Sequence, residues 1–436
     1  MATLAVKYSC DGTRLRDRRR TAELAEKSFL DYVPCAASAA AAGTIGGCAL
    51  PGAPGEVARA VTDILLTFPN VRKPAHHTAR NEEEAEELER RDRYIAAQNR
   101  ADIERRVALC AQKGEPIPAA MVWSPKKHWV SGEDSAVDVA ELVALQTFYD
   151  LNVAAKRAYP PGMHFHLRVE DIEHAFIHSQ EPGLEEDMER YISRMSAVVE
   201  VLGLGDVITV ARVTSLAKDD SEINTWSSRL EQNFAALRAY WRDSEQRGLE
   251  GYERYETYKA LASLGWQGPI PREMRDFYLA RIQRGLGQAE PVAEAADMVM
   301  RNLAGILLHQ QEKLLRVGDN NRPIILSFMP QPPGTLLHFM FGRLSLTFVP
   351  RRLSSSANYA APWSVKGCLR ERKGKLLPTF TSWHQPLGQY AEAVAGNLEL
   401  SRGGQRVTIR ADLLRGNTEQ APGQKRERLA ELKLRS

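Results

Sequence analysis

The chain has 436 residues, with 58 Lys+Arg against 55 Asp+Glu and a formal net charge of +3. That balance excludes the global basic field of a dedicated nucleic-acid binder. A hydrophobic fraction of 43% and a charged fraction of 26% are globular values that support a substantial core, and no apolar run approaches the roughly 18–20 residues that span a bilayer.

Cys10, Cys35, Cys48, Cys110 and Cys368 are scattered without any CxxC pair. This argues against a disulfide frame and against a structural zinc site. The opening residues lack the basic-then-apolar order of a secretory signal. The expected location is the cytoplasm.

In chain order, Arg14 to Arg20 form a basic run, and 36–55 is a small-residue tract too poor in bulky apolar groups to build a core. Glu56 to Thr67 has helical apolar spacing. Asn81, followed by Glu82, Glu83 and Glu84, predicts the start of a long polar helix that Gly114 ends. Residues 1–105 thus read as an N-terminal extension of helix and loop.

From Ile117 the texture is α/β. Pro118 to Trp123 predicts a buried strand, Val137 to Arg157 a helix, and Met163 to Val169 an alternating strand. Leu184 to Leu202 predicts a helix and Val207 to Val213 a β-branched strand. That order suggests a Rossmann-like layered sheet. Residues 226–316 read as a helical insertion dense in aromatics. Strands are expected at 323–328, 336–341, 344–349 and 406–410, with a loop carrying Pro362-Trp363 before the last. The α/β catalytic unit is placed at 106–415 and a charged tail at 416–436.

Gly203-Leu204-Gly205-Asp206 follows a predicted helix and precedes a strand. A dinucleotide-binding loop needs the opposite order, so a helix C-cap is the better reading. Neither GxxxxGK[ST] nor GxSxG occurs. His164, His166, His174 and His178 cluster near Glu170, Asp171 and Glu173, which makes a metal site chemically conceivable. No HExxH or facial-triad spacing accompanies them, so no metal is expected.

Charge is partitioned along the chain. Glu133 to Arg190 carries 13 acids and 4 bases, a balance of −9, and Arg343 to Lys375 carries 8 bases and one acid, a balance of +7. The bland reading is two ordinary surface patches. The functional reading is that Arg351, Arg352 or Lys366 holds an anionic group such as a phosphate.

Several segments, in order, resemble the pyoverdine/dityrosine biosynthesis family, whose best-known members are isocyanide (isonitrile) synthases. These are Glu115-Pro116-Ile117 with Trp123-Ser124-Pro125-Lys126, then the Asp138 to Leu145 helix. Tyr159-Pro160-Pro161-Gly162 follows, with Asp171 and Phe176 beyond it. Arg322 to Pro333, Leu346 to Pro350 and Pro362-Trp363 complete the set. Together they cover about residues 105–385. Two family histidines are replaced, by Met329 and Ser364.

The resemblance implies a Rossmann-like fold and condensation of an amino-acid amine with ribulose 5-phosphate to an isocyanide or N-formyl product. It implies no cofactor beyond that co-substrate. Small-molecule partners are expected, with neither nucleic acid nor membrane, and a homo-oligomer is left open. Lys126, Asp138, Glu141 and Asp171 are the catalytic candidates. Arg351, Arg352, Lys366, Trp363 and Ser364 are the substrate or phosphate candidates, and His384 could supply a missing imidazole. Asp138 and Glu141 share one helix face, where a purely structural role at the helix start is the alternative. Two other outcomes stay open: a different carbon–nitrogen lyase or transferase on the same fold, and a non-catalytic scaffold.

Overall fold

The computed structural model describes residues 4–10, 53–68, 82–125, 137–177, 183–246, most of 300–317, 323–327, 344–345, 362–372, 375–382 and 392–415. Everything below concerns these residues. Lys126, His178, Met329, Arg351, Arg352, His384 and the predicted strand 336–341 lie outside them.

The fold is α/β, built around a five-stranded sheet. β1 is Ala5–Cys10, α1 Pro54–Thr67, α2 Glu82–Lys113, β2 Ile117–Trp123, α3 Val139–Lys156 and β3 Met163–Val169. α4 is Asp171–Ile177, α5 Leu184–Val201, β4 Ile208–Arg212 and α6 Asp220–Gln246. β5 (Ile324–Ser327) and β6 (Leu344–Ser345) complete the sheet, in the order β4-β3-β2-β5-β6. Every neighbouring pair in it is parallel. The strand order reverses between β2 and β5, and the C-terminal edge of such a crevice is where open parallel sheets bind ligands.

Why these residues form these strands follows from burial. All seven residues of β2 are buried, as a central parallel strand requires. In β3, Met163, Phe165, Leu167 and Val169 enter the core, while His164, His166 and Arg168 take the opposite face. Phe148 of α3 lies against Phe165, ring centroids 5.0 Å apart, and joins helix to sheet.

Helix ends are set by glycine. Gly203 has φ +69°. Its N–H donates to Glu200 O, and Leu204 N–H donates to Val199 O. This bond pair is a Schellman motif, so the Gly203 to Asp206 stretch is a C-cap as expected from order alone. Gly114, at φ +68°, ends α2 likewise, with Glu115 N–H reaching Cys110 O.

Two smaller sheets flank the main one. β7 (Val365–Arg372), β8 (Lys375–Ser382), β9 (Glu392–Val394) and β12 (Leu413–Arg415) form a four-stranded sheet in the order β8-β7-β12-β9. β10 (Gly396–Arg402) and β11 (Gln405–Arg410) pair as a hairpin, and β1 adds to β10 antiparallel. The β7–β8 pair replaces a segment read from sequence as loop.

The 105/106 boundary is not a structural one among the described residues. α2 runs through it, β1 pairs with the C-terminal β10, and Val57, Val61 and Leu65 of α1 join the same core as Leu398 and Leu413. The described part of the segment taken as an extension is therefore a contributor to the core. No described helix is long and apolar enough to cross a membrane.

Candidate functional site

Trp123 ends β2 at the C-terminal edge of the main sheet, and two polar groups meet there. Its carbonyl accepts the Glu170 N–H at 3.0 Å, so the turn after β3 is held beside β2. Its indole Nε1 donates to Tyr191 OH at 3.0 Å, and Tyr191 OH donates to Glu141 Oε1, also at 3.0 Å. Burial, then the Glu141 charge, holds the Tyr191 phenol well above its usual range, so it stays a neutral donor.

The first group surrounds the N-terminus of α3. Asp138 caps that helix: its Oδ1 accepts Ala140 N–H at 2.7 Å, and its own N–H donates to Glu141 Oε2 at 2.9 Å. This reciprocal pair is a capping box. Asp138 Oδ2 also accepts the Gly367 N–H of β7 at 3.0 Å. Trp363, in the 3-10 turn Pro362–Ser364, meets Trp123 edge-on with ring centroids 4.9 Å apart. The structure therefore gathers Asp138, Glu141, Trp363 and the Lys366–Gly367 strand around one helix start.

Lys366 is buried, and its ammonium lies 2.6 Å from Asp412 Oδ2. Asp412 also accepts from Gly396 N–H at 3.3 Å and faces the Arg410 Nε at 3.2 Å. The Lys366 charge is thus matched inside the protein, between β7 and the turn before β12. Ser364 ends the 3-10 turn beside it.

The second group stands at the ends of β3 and β4. Asp171 opens α4 and is buried. It accepts Thr214 N–H at 3.1 Å and the Thr214 hydroxyl, with Arg212 3.9 Å away. Burial pushes its carboxyl up, and the Thr214 bonds offset only part of that.

Beside it lie Glu170, Glu173 and His309. His309 Nε2 is 2.7 Å from Glu173 Oε1 and 3.8 Å from Glu170 Oε1. The His309 and Glu173 side chains are 1% and 2% exposed, whereas 27% of Glu170 faces solvent. Burial and then the Glu173 charge push the Glu170 carboxyl up to about 8, with His309 pulling the other way. Burial lowers the His309 imidazole, but contact with Glu173 and the charge of Glu170 raise it further, so its net shift is upward.

The helical residues around His309 explain the approach. Gly305 stands one turn before His309 on the same face. A Cβ there would lie 3.1 Å from Glu173 Cγ, so any larger residue would press on the Glu173 side chain. A turn earlier, the Arg301 guanidinium stacks on Phe176 and Phe234 at 4.8 and 4.7 Å and donates to Phe176 O at 2.8 Å.

His164 and His166 form a separate pair, ring centroids 4.7 Å apart, on the opposite face of β3 from the core. His164 is engaged by Asp206 O at 3.0 Å and Thr209 Oγ1 at 2.8 Å. Among the described residues no three His, Cys, Asp or Glu side chains are arranged to hold a metal ion.

Sequence reasoning marked Asp138, Glu141 and Asp171, and it noted Glu170 and Glu173 only as neighbours of the histidines. It passed over Tyr191, Asp412 and His309. The signal for His309 was a single imidazole in the apolar helical run Gly305 to Leu308, one turn after a glycine.

Fold and site together define an α/β protein of parallel-sheet type, with buried acid–base groups at the C-terminal edge of the sheet. Among solved structures, the chain is similar to the crystal structure of the PvcA protein from Pseudomonas aeruginosa, at 17% identity and TM-score 0.49, over 81% of this chain and 99% of that one. Two tyrosyl-tRNA synthetases complexed with L-tyrosine are more distant. The one from Pyrococcus horikoshii has 10% identity and TM-score 0.23, over 64% of this chain and 63% of that one. The one from Archaeoglobus fulgidus has 12% identity and TM-score 0.24, over 77% and 91%. No family model and no curated protein matches the chain.

Proposed function

We propose that the chain is an isocyanide-synthase-like enzyme that condenses an amino-acid amine with ribulose 5-phosphate. The observation that carries this reading is positional. Motif segments far apart in sequence supply Trp123, Asp138, Glu141, Asp171 and Trp363 to groups joined through Trp123 at the end of the parallel sheet. Condensation of an amine with a ketone needs groups that move protons beside a partly dry pocket. Glu170 and Asp171, both with raised carboxyl pKa values, are of that kind.

Some motif residues build the frame instead. Tyr159 OH contacts Cys110 O at 3.0 Å and Glu115 O at 2.6 Å, and burial pushes its phenol up to about 12. Asp138 spends both carboxylate oxygens on backbone N–H groups. The phosphate anchor is then better sought at Arg351 and Arg352 than at Lys366, whose charge Asp412 already meets.

The test is to incubate purified chain with uniformly 13C-labelled ribulose 5-phosphate and each amino acid in turn. Consumption of both, with one labelled carbon retained on the nitrogen of the product, is expected. Folded protein that turns over no amino acid with this sugar phosphate would sink the reading. Met329 and Ser364, standing where the family has histidines, favour a second reading in which the same fold runs another carbon–nitrogen bond reaction. A product of different mass would mark that case.

A further inference from the structure

The Glu170–Glu173–His309 cluster carries more charge than the frame needs. Three carboxylates, at Glu170, Asp171 and Glu173, crowd the turn after β3. Asp171 is satisfied by Thr214. Glu173 and His309 are not satisfied in the same way. Their 2.7 Å contact is an ion pair, and among the described residues the buried Glu173 Oε2 and His309 Nδ1 have no hydrogen-bond partner. A buried polar group left so costs stability, roughly 1–3 kcal/mol in mutational series. Gly305 nevertheless lets the His309 segment pass close to the Glu173 side chain.

The geometry has a direction. His309 and Glu173 are sealed from water, and Glu170 is the part-exposed member of the three, 3.8 Å from the imidazole. It follows β3 directly, at the sheet edge where ligands bind. The described charged groups that face it are Glu173 from α4 and His309 from the neighbouring helical segment. Whenever Glu170 is ionised, one cation stands among two carboxylates and the site is short of positive charge. A ligand that supplies an ammonium would complete it.

We propose that Glu170 receives the ammonium of the amine substrate and takes its proton, with Glu173 and His309 as positioning residues behind it. The step balances: an N–H bond of the ammonium breaks and its electron pair stays on nitrogen. The proton bonds to a Glu170 carboxylate oxygen, giving a neutral amine and a neutral carboxyl. Only that neutral amine has the lone pair needed to attack a carbonyl carbon. A base whose pKa lies near the working pH is the efficient choice for such a transfer, and desolvation with the Glu173 charge shifts the Glu170 carboxyl in that direction. The identity of the amine as a substrate rests on the function proposed above. The ammonium site itself does not.

The experiment is 13C NMR of the full chain labelled at glutamate carboxyls, with Glu170→Gln assigning the signal and Glu170→Asp serving if that variant does not fold. The Glu170 titration is expected near 8. Millimolar ethylammonium chloride should lower its midpoint by about one pH unit, because a nearby cation favours the carboxylate, while equal sodium chloride leaves it in place. A midpoint in the ordinary carboxylate range, or one that ethylammonium moves no more than sodium does, overturns the proposal. His309→Gln should raise the midpoint, because it removes the one facing cation. An unchanged midpoint in a folded His309→Gln protein overturns the positioning role. The two readings fail separately. An ammonium-sensitive Glu170 without turnover of ribulose 5-phosphate sinks the isocyanide reading alone. Turnover that survives Glu170→Gln within a few-fold, where about 100-fold loss is expected of a proton-transfer group, sinks this one alone.

Discussion

Gly367 N–H donates to Asp138 Oδ2 at 3.0 Å, joining β7 to the first turn of α3 across 229 residues of sequence. The same carboxylate caps the helix through Oδ1. One side chain thereby fixes the helix start and the position of the strand that carries Lys366.

Gly367→Ala should be strongly destabilising. Its Cβ would lie 2.2 Å from Ala140 N and 2.5 Å from Asp138 Oδ1, and the first of these is backbone that cannot move aside. The expected loss is about 1–3 kcal/mol or more, as for other overpacked sites. Asp138→Ala should lose about 1 kcal/mol for the cap, with a further loss for stranding the Gly367 N–H. Urea midpoints at constant m would measure both. An Asp138→Ala protein of unchanged stability would return this residue to the purely catalytic candidates.

Gly162 and Gly55 make a contrasting pair. Gly162 has φ +68°, and a Cβ there would lie 2.3 Å from the Asn152 Oδ1 that accepts Met163 N–H at 2.8 Å. Gly162→Ala should therefore lose stability and loosen the entry to β3. Gly55 lies in the first turn of α1 with open space around its Cβ position. Gly55→Ala should gain about 0.5–1 kcal/mol. Thermal melts of the two variants should move in opposite directions.

Lys366→Met should cost about 3–5 kcal/mol, the range for removing one partner of a buried ion pair. Adding Asp412→Leu should recover part of that loss, because it removes a buried carboxylate then held only by Arg410 and the Gly396 N–H. Denaturant unfolding of the single and double variants tests this. If Lys366→Met instead leaves stability intact and weakens sugar-phosphate binding, the ion pair is not its main role.

Two titrations should shape the pH profile in opposite senses. Burial, His164 and Arg168 lower the His166 pKa to about 4 from the ordinary 6.5. The unfolded chain then binds more protons between those values, so stability falls as pH drops from 6.5 toward 4. His166→Gln should flatten that limb. The Glu170 carboxyl is raised from 4.5 to about 8, so the folded state binds more protons in that window and stability falls as pH rises through it. Glu170→Gln should raise Tm relative to the parent at pH 8 and change it little at pH 4. Calorimetry across pH 4–9 would separate the limbs.

Local signals in the sequence reached the main sheet well. Met163 to Val169 alternates because one face packs on α3 and the other does not. The glycines after α2 and α5 mark ends that depend only on nearby residues. Long-range pairings were not legible. β1 is six residues long and owes its existence to β10. β7 reads as charged surface because the carboxylate that neutralises Lys366 comes from Asp412, outside any local window. The β10–β11 hairpin was half seen. Gly403-Gly404 carries positive φ at both positions, the two-residue turn that such strands favour, and the pair was there to be read. At the site, Asp138 and Glu141 were legible as a shared face, and the capping-box spacing left capping and catalysis as rival uses. Glu170 gained its interest only from His309, which reaches it through the fold.

The pairing of Ala5 with Ser401 sets an order of events during synthesis. β1 waits for a partner that emerges long after it. Until then its edge is open to other chains, the usual route to misassembly for unpaired strands. Pairing of β1 is therefore a late step of folding, and a fusion that tethers β1 would slow maturation without touching a single residue of the site.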